Sequence, residues 1–216
     1  MPRYPYVLFD LDGTLADTGE GVMNCAKHAC KMLGYPEPPQ SELDKIIGPS
    51  LGYSFPNYLG VKKEDTLDAI RIFRERYAVE GLLESEIYPG IADLLSHLKA
   101  AGCRLFVATC KPTAYSETIL KNLGVAHHFD LIVGSNLDNT RTEKIEVLDY
   151  LCKTAGIEPE RCVMIGDRYS DVRGAKAFAM DSIGVTFGYG SREELEAEAA
   201  TFIADSPADI ENFILD

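Results

Sequence analysis

Short, wholly apolar runs alternate with amphipathic stretches along most of this chain, and that rhythm limits the folds open to it. Tyr6 to Phe9, Arg104 to Ala108, Leu131 to Val133, Cys162 to Ile165 and Ser182 to Val185 are brief and rich in β-branched or aromatic residues, as strands buried on both faces are. Ile91 to Ala100, Ala114 to Leu123, Lys144 to Ala155 and Val172 to Ala179 carry helical spacing, and Gly102, Gly124 and Gly156 stand where helix ends belong. Strand then helix, repeated, implies a parallel sheet with helices on both faces and right-handed crossovers. The expected fold is α/β, a doubly wound, Rossmann-like parallel-sheet core.

Residues 16–86 break the rhythm, with no convincing strand before the Tyr88-Pro89-Gly90 turn. Val22, Ala26, Ala29 and Leu33 keep helical spacing, Ser41 is suited to cap a short helix ending at Gly48-Pro49, and Leu67, Ile70, Phe73 and Tyr77 mark another helix. The expected organisation is a core of residues 1–15 and 87–216 with a helical cap, 16–86, inserted after the first strand. Near the C-terminus, Ser191-Arg192-Glu193-Glu194 reads as a capping box.

Composition narrows the partners. A formal net charge of -13 argues against nucleic acid and anionic membranes, which attract basic stripes this sequence lacks. A hydrophobic share of 46% and a charged share of 25% are those of an ordinary globular protein. No run approaches the roughly 18 apolar residues of a membrane span, so a cytoplasmic monomer or homodimer is expected. The six cysteines show no CxxC spacing and no nearby histidine cluster for zinc, and read as small buried hydrophobes.

In an open parallel sheet, ligands sit beyond the carboxyl ends of the strands. Asp10 and Asp12 follow the first expected strand, Thr109 ends the second, Lys144 lies past the loop after the third, and Asp167 and Asp171 follow the fourth. All six therefore fall on one rim. Unit charges 4 Å apart repel by about 4 kcal/mol at an effective dielectric of 20, so four carboxylates there call for a cation. An all-oxygen ligand set completed by water and substrate phosphate suits Mg²⁺ better than a calcium cage, and Lys144 adds a second positive charge. Asp10-Leu11-Asp12-Gly13-Thr14 alone is an ordinary turn signal; its weight comes from the matched groups after three further strands.

Taken together, Asp10-Leu11-Asp12-Gly13-Thr14, Thr109, Lys144 and Gly166-Asp167 with Asp171 resemble the four motifs of the haloacid dehalogenase superfamily. The helical insertion, and Ser182-Ile183-Gly184-Val185 with Gly188-Tyr189-Gly190, are similar to its phosphoglycolate-phosphatase-like branch. The resemblance implies a Mg²⁺-dependent phosphatase in which Asp10 is the nucleophile and Asp12 the acid and base. It further implies that Thr109 and nearby backbone N–H groups bind the phosphoryl oxygens, and that Lys144 steadies nucleophile and phosphate. Asp10, the Asp12 carbonyl and Asp167 would hold the metal, with Asp171 ligating through water or orienting that shell.

The implied substrate is a small soluble phosphate ester, phosphoglycolate-like or a 5'-nucleotide. Gly48-Pro49-Ser50 is similar to the family's specificity loop, and Thr109, Cys110, Lys111 and Arg141 are the candidate substrate contacts on the core. Cys110 departs from the branch, which commonly has Asn there, and the neighbouring lysine is expected to lower its thiol pKa if the residue is functional. Tyr53, Phe55 and Tyr58 are candidates for stacking on a base, though such spacing is more often core. Lys45, Lys111 and Arg141 are the cations available to a carboxylate substrate. The alternatives are a β-phosphoglucomutase-like phosphotransferase of the same superfamily and a non-catalytic phosphate-binding module.

Overall fold

The computed structural model describes residues 2–47, 50–138 and 140–216. The chain folds as two compact units, one of Met1–Asp17 with Ile87–Asp216 and the other of Thr18–Glu86. In chain order the helices of the second unit are α1 (Gly19–Met32), α2 (Gln40–Leu43), α3 (Leu51–Asn57) and α4 (Thr66–Arg76). Those of the first are α5 (Ile91–Ala100), α6 (Thr113–Asn122), α7 (Lys144–Ala155), α8 (Tyr169–Ala177), α9 (Arg192–Ala197) and α10 (Pro207–Leu215).

In the first unit the strands are β1 (Tyr6–Phe9), β2 (Arg104–Pro112), β3 (Leu131–Ser135), β4 (Cys162–Gly166), β5 (Asp181–Val185) and β6 (Phe202–Ala204). They form one parallel sheet in the order β3-β2-β1-β4-β5-β6. Leu8, Phe106 and Met164 lie side by side in adjacent strands and pack with Val147, Leu148 and Leu151 of α7 and Ala175 of α8. Their neighbours Val7, Phe9, Leu105, Val107, Val163 and Ile165 are as fully buried. Both faces of these strands are thus covered, and each such side chain contributes about 1.5–3 kcal/mol. The strand order reverses at β1, which puts a switch-point crevice at the carboxyl ends of β1 and β4.

Ala16–Asp17 and Glu86–Ile87 form two-residue strands, where no strand was expected before the Tyr88-Pro89-Gly90 turn. Four further local results differ from the sequence expectations. β2 runs on to Pro112, with a register shift against β3 between Ala108, opposite Val133, and Pro112, opposite Ser135. α8 starts at Tyr169, before the first apolar residue of its pattern, and β6 with α10 completes the sheet edge. Ser191 does cap α9 by accepting from Glu194 N, but the reciprocal half of the box is not formed. The Glu194 carboxylate instead accepts from Tyr169 N at 2.6 Å and Arg168 Nε at 3.1 Å, at the start of α8.

The helical unit has its own core. Cys25, Ala26 and Ala29 of α1 and Ala69, Ile72 and Phe73 of α4 are buried, and Gly21 lets α1 approach the carbonyl of Gly81, where a Cβ would clash. Arg76 clamps Glu84 through a bidentate pair at 2.7 and 3.0 Å. Phe55 is wholly buried and meets Phe73 edge to face, so it is core; Tyr53 is exposed. α2 begins at Gln40 with Pro39 in the capping position, in place of the Ser41 cap.

Candidate active site

β1 delivers Asp10 to the rim, its backbone N–H still bonded to Ile165 O at 2.8 Å across to β4. Asp10 Oδ1 accepts from Leu11 N at 2.7 Å and lies 3.2 Å from Lys144 Nζ. Asp167 follows β4, and Asp171 sits in the first turn of α8, where Oδ2 accepts from Arg168 N at 3.1 Å. One oxygen from each of Asp10, Asp167 and Asp171 lies within 4.8 Å of the others.

Lys144 opens α7 and is buried there, at the helix end where the backbone dipole disfavours a cation. Its Nζ is 2.7 Å from Asp171 Oδ1 and donates to Ala108 O at 2.7 Å, so the sheet, α7 and α8 meet on one ammonium. The adjacent carboxylates raise its pKa against the opposing effect of burial. Beside it, burial and then the charges of Asp171 and Asp10 push Asp167 up to about 8. Burial also pushes Asp171 up to about 6, with Lys144 holding it down.

These residues fit a hard cation. Asp167 Oδ2 accepts from Tyr189 N at 2.7 Å and Gly190 N at 3.2 Å, whereas its Oδ1 is buried with no hydrogen-bond partner among the described residues. A buried carboxylate oxygen left without a donor costs about 1–3 kcal/mol, and a cation in the cluster removes that cost. Three carboxylates against one lysine leave the cluster net negative.

The other sequence candidates take varied places. Lys111 Nζ reaches both carboxylate oxygens of Asp12, at 2.8 and 2.9 Å, so Asp12 has its own lysine as Asp10 has Lys144. Thr109 is buried, and its Oγ1 accepts from Lys111 N at 3.2 Å. Cys110 is exposed, and its thiol is pushed up to about 11, chiefly by desolvation. Lys144 opposes that rise and Asp10 and Asp171 add to it, so the expected lowering by a neighbouring lysine is not what the site produces.

Arg141 bonds to the end of β3 and the residue just after it. It donates to Gly134 O at 2.7 Å and to Asn136 Oδ1 at 3.1 Å, and stacks on Tyr150 at 4.1 Å, anchoring the loop after β3. Ser50 belongs to the helical unit, where its carbonyl accepts from Tyr53 N and Ser54 N at the start of α3. Gly48 and Pro49 lie outside the described residues. Lys45 pairs with Glu42 at 2.8 Å within the same unit. Sequence reasoning named Gly166 in a motif but did not find the close approach it permits, and it passed over Gly174. A Cβ on Gly166 would clash with the Asp171 side chain, and one on Gly174 would lie 2.8 Å from Lys144 Cγ.

A Rossmann-ordered sheet with paired aspartates, a buried lysine and a further acidic pair at its switch point is the frame of a phosphatase. The profile described as haloacid dehalogenase-like hydrolase matches residues 7–185, and the chain belongs to that family. It is 41% identical over 207 residues to a 5'-nucleotidase of Pseudomonas aeruginosa, covering 95% of this chain and 94% of that protein. It is 33% identical over 197 residues to a phosphoglycolate phosphatase of Colwellia psychrerythraea, covering 88% and 87%. The solved structure of Mycobacterium tuberculosis Protein Tyrosine Kinase A aligns with a TM-score of 0.83 over 97% of each chain, at 33% identity.

Proposed function

We propose that this protein is a Mg²⁺-dependent phosphomonoester hydrolase of the cytoplasm that passes the phosphoryl group of a small soluble ester to Asp10 and then to water. The observation that carries the reading is the cluster of Asp10, Asp167 and Asp171 around the Lys144 ammonium. Of the three carboxylates, Asp10 is 8% exposed against 0% and 1% for Asp167 and Asp171, which supports it as the one that meets phosphorus. Six free cysteines, five of them buried, suit a reducing compartment.

Asp10 attacks phosphorus, the ester P–O bond breaks, and Asp12 gives its proton to the departing oxygen. Asp12 then takes a proton from the water that attacks the aspartyl phosphate, which frees phosphate and restores Asp10. Lys144 neutralises charge on Asp10 and on the transferring group, while Thr109 and the backbone N–H groups beside it bind phosphoryl oxygens. Asp10, the Asp12 carbonyl, Asp167 and Asp171 are the residues that would hold Mg²⁺. Bound there, the ion offsets the repulsion between the aspartates and a phosphate dianion.

The likeness to the 5'-nucleotidase and the phosphoglycolate phosphatase supports a 5'-nucleotide or a phosphoglycolate-like ester as substrate. Choice between them is assigned to the helical insertion. The test is a phosphate-release screen across nucleoside monophosphates, phosphoglycolate, sugar phosphates and a phosphotyrosine analogue, with and without Mg²⁺. Release from a small ester that stops with chelator is the expected result; full turnover without metal overturns the reading. The likeness to a tyrosine kinase supports a second reading, transfer to a hydroxyl acceptor. In the same screen, phosphorylated tyrosine peptide or alcohol formed in preference to free phosphate would establish it.

A further inference from the structure

The loop Gly188-Tyr189-Gly190 contributes no reacting group, yet it closes around Asp167 on several sides. Tyr189 N and Gly190 N both donate to Asp167 Oδ2, at 2.7 and 3.2 Å. At its two glycines there is no room for a side chain. A Cβ on Gly188 would lie 2.6 Å from Asp167 Cβ and clash with the carbonyl of Gly13; one on Gly190 would clash with the Asp167 carbonyl oxygen. From the opposite side, Gly13 turns with φ +77°, and a Cβ there would lie 2.6 Å from Asp167 Cγ and 2.8 Å from the Tyr189 ring. The loop has an anchor of its own, because the Tyr189 hydroxyl donates to Asp17 Oδ1 at 2.6 Å.

The two N–H bonds fix one oxygen of Asp167 and leave Oδ1 buried without a hydrogen bond beside Asp10 and Asp171. A carboxylate held in this way has lost its rotational freedom before any ligand arrives, so a cation gains its bond without the entropy cost of ordering the side chain. We propose that Gly188-Tyr189-Gly190 is the positioning element of the metal site: its backbone sets Asp167 for the cation, and the Tyr189–Asp17 bond holds that backbone in place. The inference rests on the reading of the rim as a Mg²⁺ site.

Two variants test it, with metal binding measured directly. Gly190→Ala drives a methyl group into the Asp167 carbonyl; Tyr189→Phe keeps the backbone donor and the ring and removes the anchor. Mg²⁺ binding is followed by isothermal titration calorimetry, and Mn²⁺ binding by loss of the free-ion electron paramagnetic resonance signal. Outer partners of metal ligands are worth about 10- to 100-fold in affinity, and that loss is expected for Gly190→Ala. For Tyr189→Phe, loss of the hydroxyl's bond to the Asp17 carboxylate predicts a loss of at least about threefold to tenfold.

In turnover, the Mg²⁺ concentration giving half-maximal rate should rise by the same factors, with the rate recovered at high Mg²⁺ and KM for the ester unchanged. A merely structural lesion would lower the active fraction without moving the metal requirement. Wild-type metal affinity in both variants overturns the proposal. If Gly190→Ala does not fold, wild-type affinity in Tyr189→Phe alone overturns it. Absence of metal binding by the unmodified protein would instead remove the Mg²⁺ reading itself.

Discussion

Replacing Lys144 by Met removes the rim's central charge while keeping an unbranched side chain of similar length. The ammonium lies 2.7 Å from Asp171 Oδ1 and 3.2 Å from Asp10 Oδ1. At an effective dielectric of 20 each pair is worth about 5–6 kcal/mol. Desolvation of the ions offsets much of this, and deleting one partner of a buried pair costs about 3–5 kcal/mol because the remaining charges are left uncompensated. Urea unfolding of the metal-free variant should therefore show a stability lower by about that amount. Added Mg²⁺ should recover part of the loss, because a cation among Asp10, Asp167 and Asp171 supplies some of the missing charge. Phosphate release should fall by at least about 10²-fold even with saturating metal, since Lys144 is also assigned to the phosphoryl group. Equal stability of variant and parent in chelator would refute the reasoning, as it would mean that the three carboxylates need no counter-charge.

Asp10→Asn should abolish phosphate release and leave the circular dichroism spectrum unchanged, since the amide keeps the volume and can still accept from Leu11 N. Near-normal turnover would place the nucleophile elsewhere. Arg141→Ala should lower stability by about 1–3 kcal/mol through the lost bonds to Gly134 O and Asn136, with KM unchanged; a raised KM without loss of stability would return Arg141 to the substrate. With its thiol pushed up to about 11, Cys110 should be alkylated slowly at neutral pH. Below that value the labelling rate should rise about tenfold per pH unit, as the thiolate fraction does. Labelling at pH 7 as fast as a free thiol would contradict the raised thiol pKa.

The strands that hold the site were legible because they are buried on both faces. Tyr6–Phe9 and Cys162–Gly166 read as continuous apolar runs, and the aspartates directly after them could be placed on one rim from sequence spacing alone. β6 escaped notice because its three residues are too few to establish a period, and it is only partly buried. Contacts between distant segments were beyond the reach of local pattern. Nothing near Glu194 announces that its carboxylate serves the start of α8, and nothing near Arg141 shows that its donors face the end of β3. The Lys111–Asp12 pair spans 99 residues and involves the stretch where β2 shifts register past Ala108. Gly188 and Gly190 stood out only through the resemblance of their segment; that a Cβ at either would collide is visible only once Asp167 is in place.

The central claim, that phosphate passes through Asp10, is tested most directly by rapid mixing of Asp12→Asn with p-nitrophenyl phosphate, acid quench and mass mapping of the peptides. Nitrophenolate leaves without needing a proton, so the variant should load quickly and then stall before the water that Asp12 would activate. General acid–base groups are worth about 10² to 10⁴ in rate, enough to trap the intermediate. The account predicts a burst of nitrophenolate equal to the enzyme present, and a phosphoryl group on the peptide carrying Asp10. Steady release with no burst and no phosphorylated peptide, or a phosphoryl group on another residue, would contradict it.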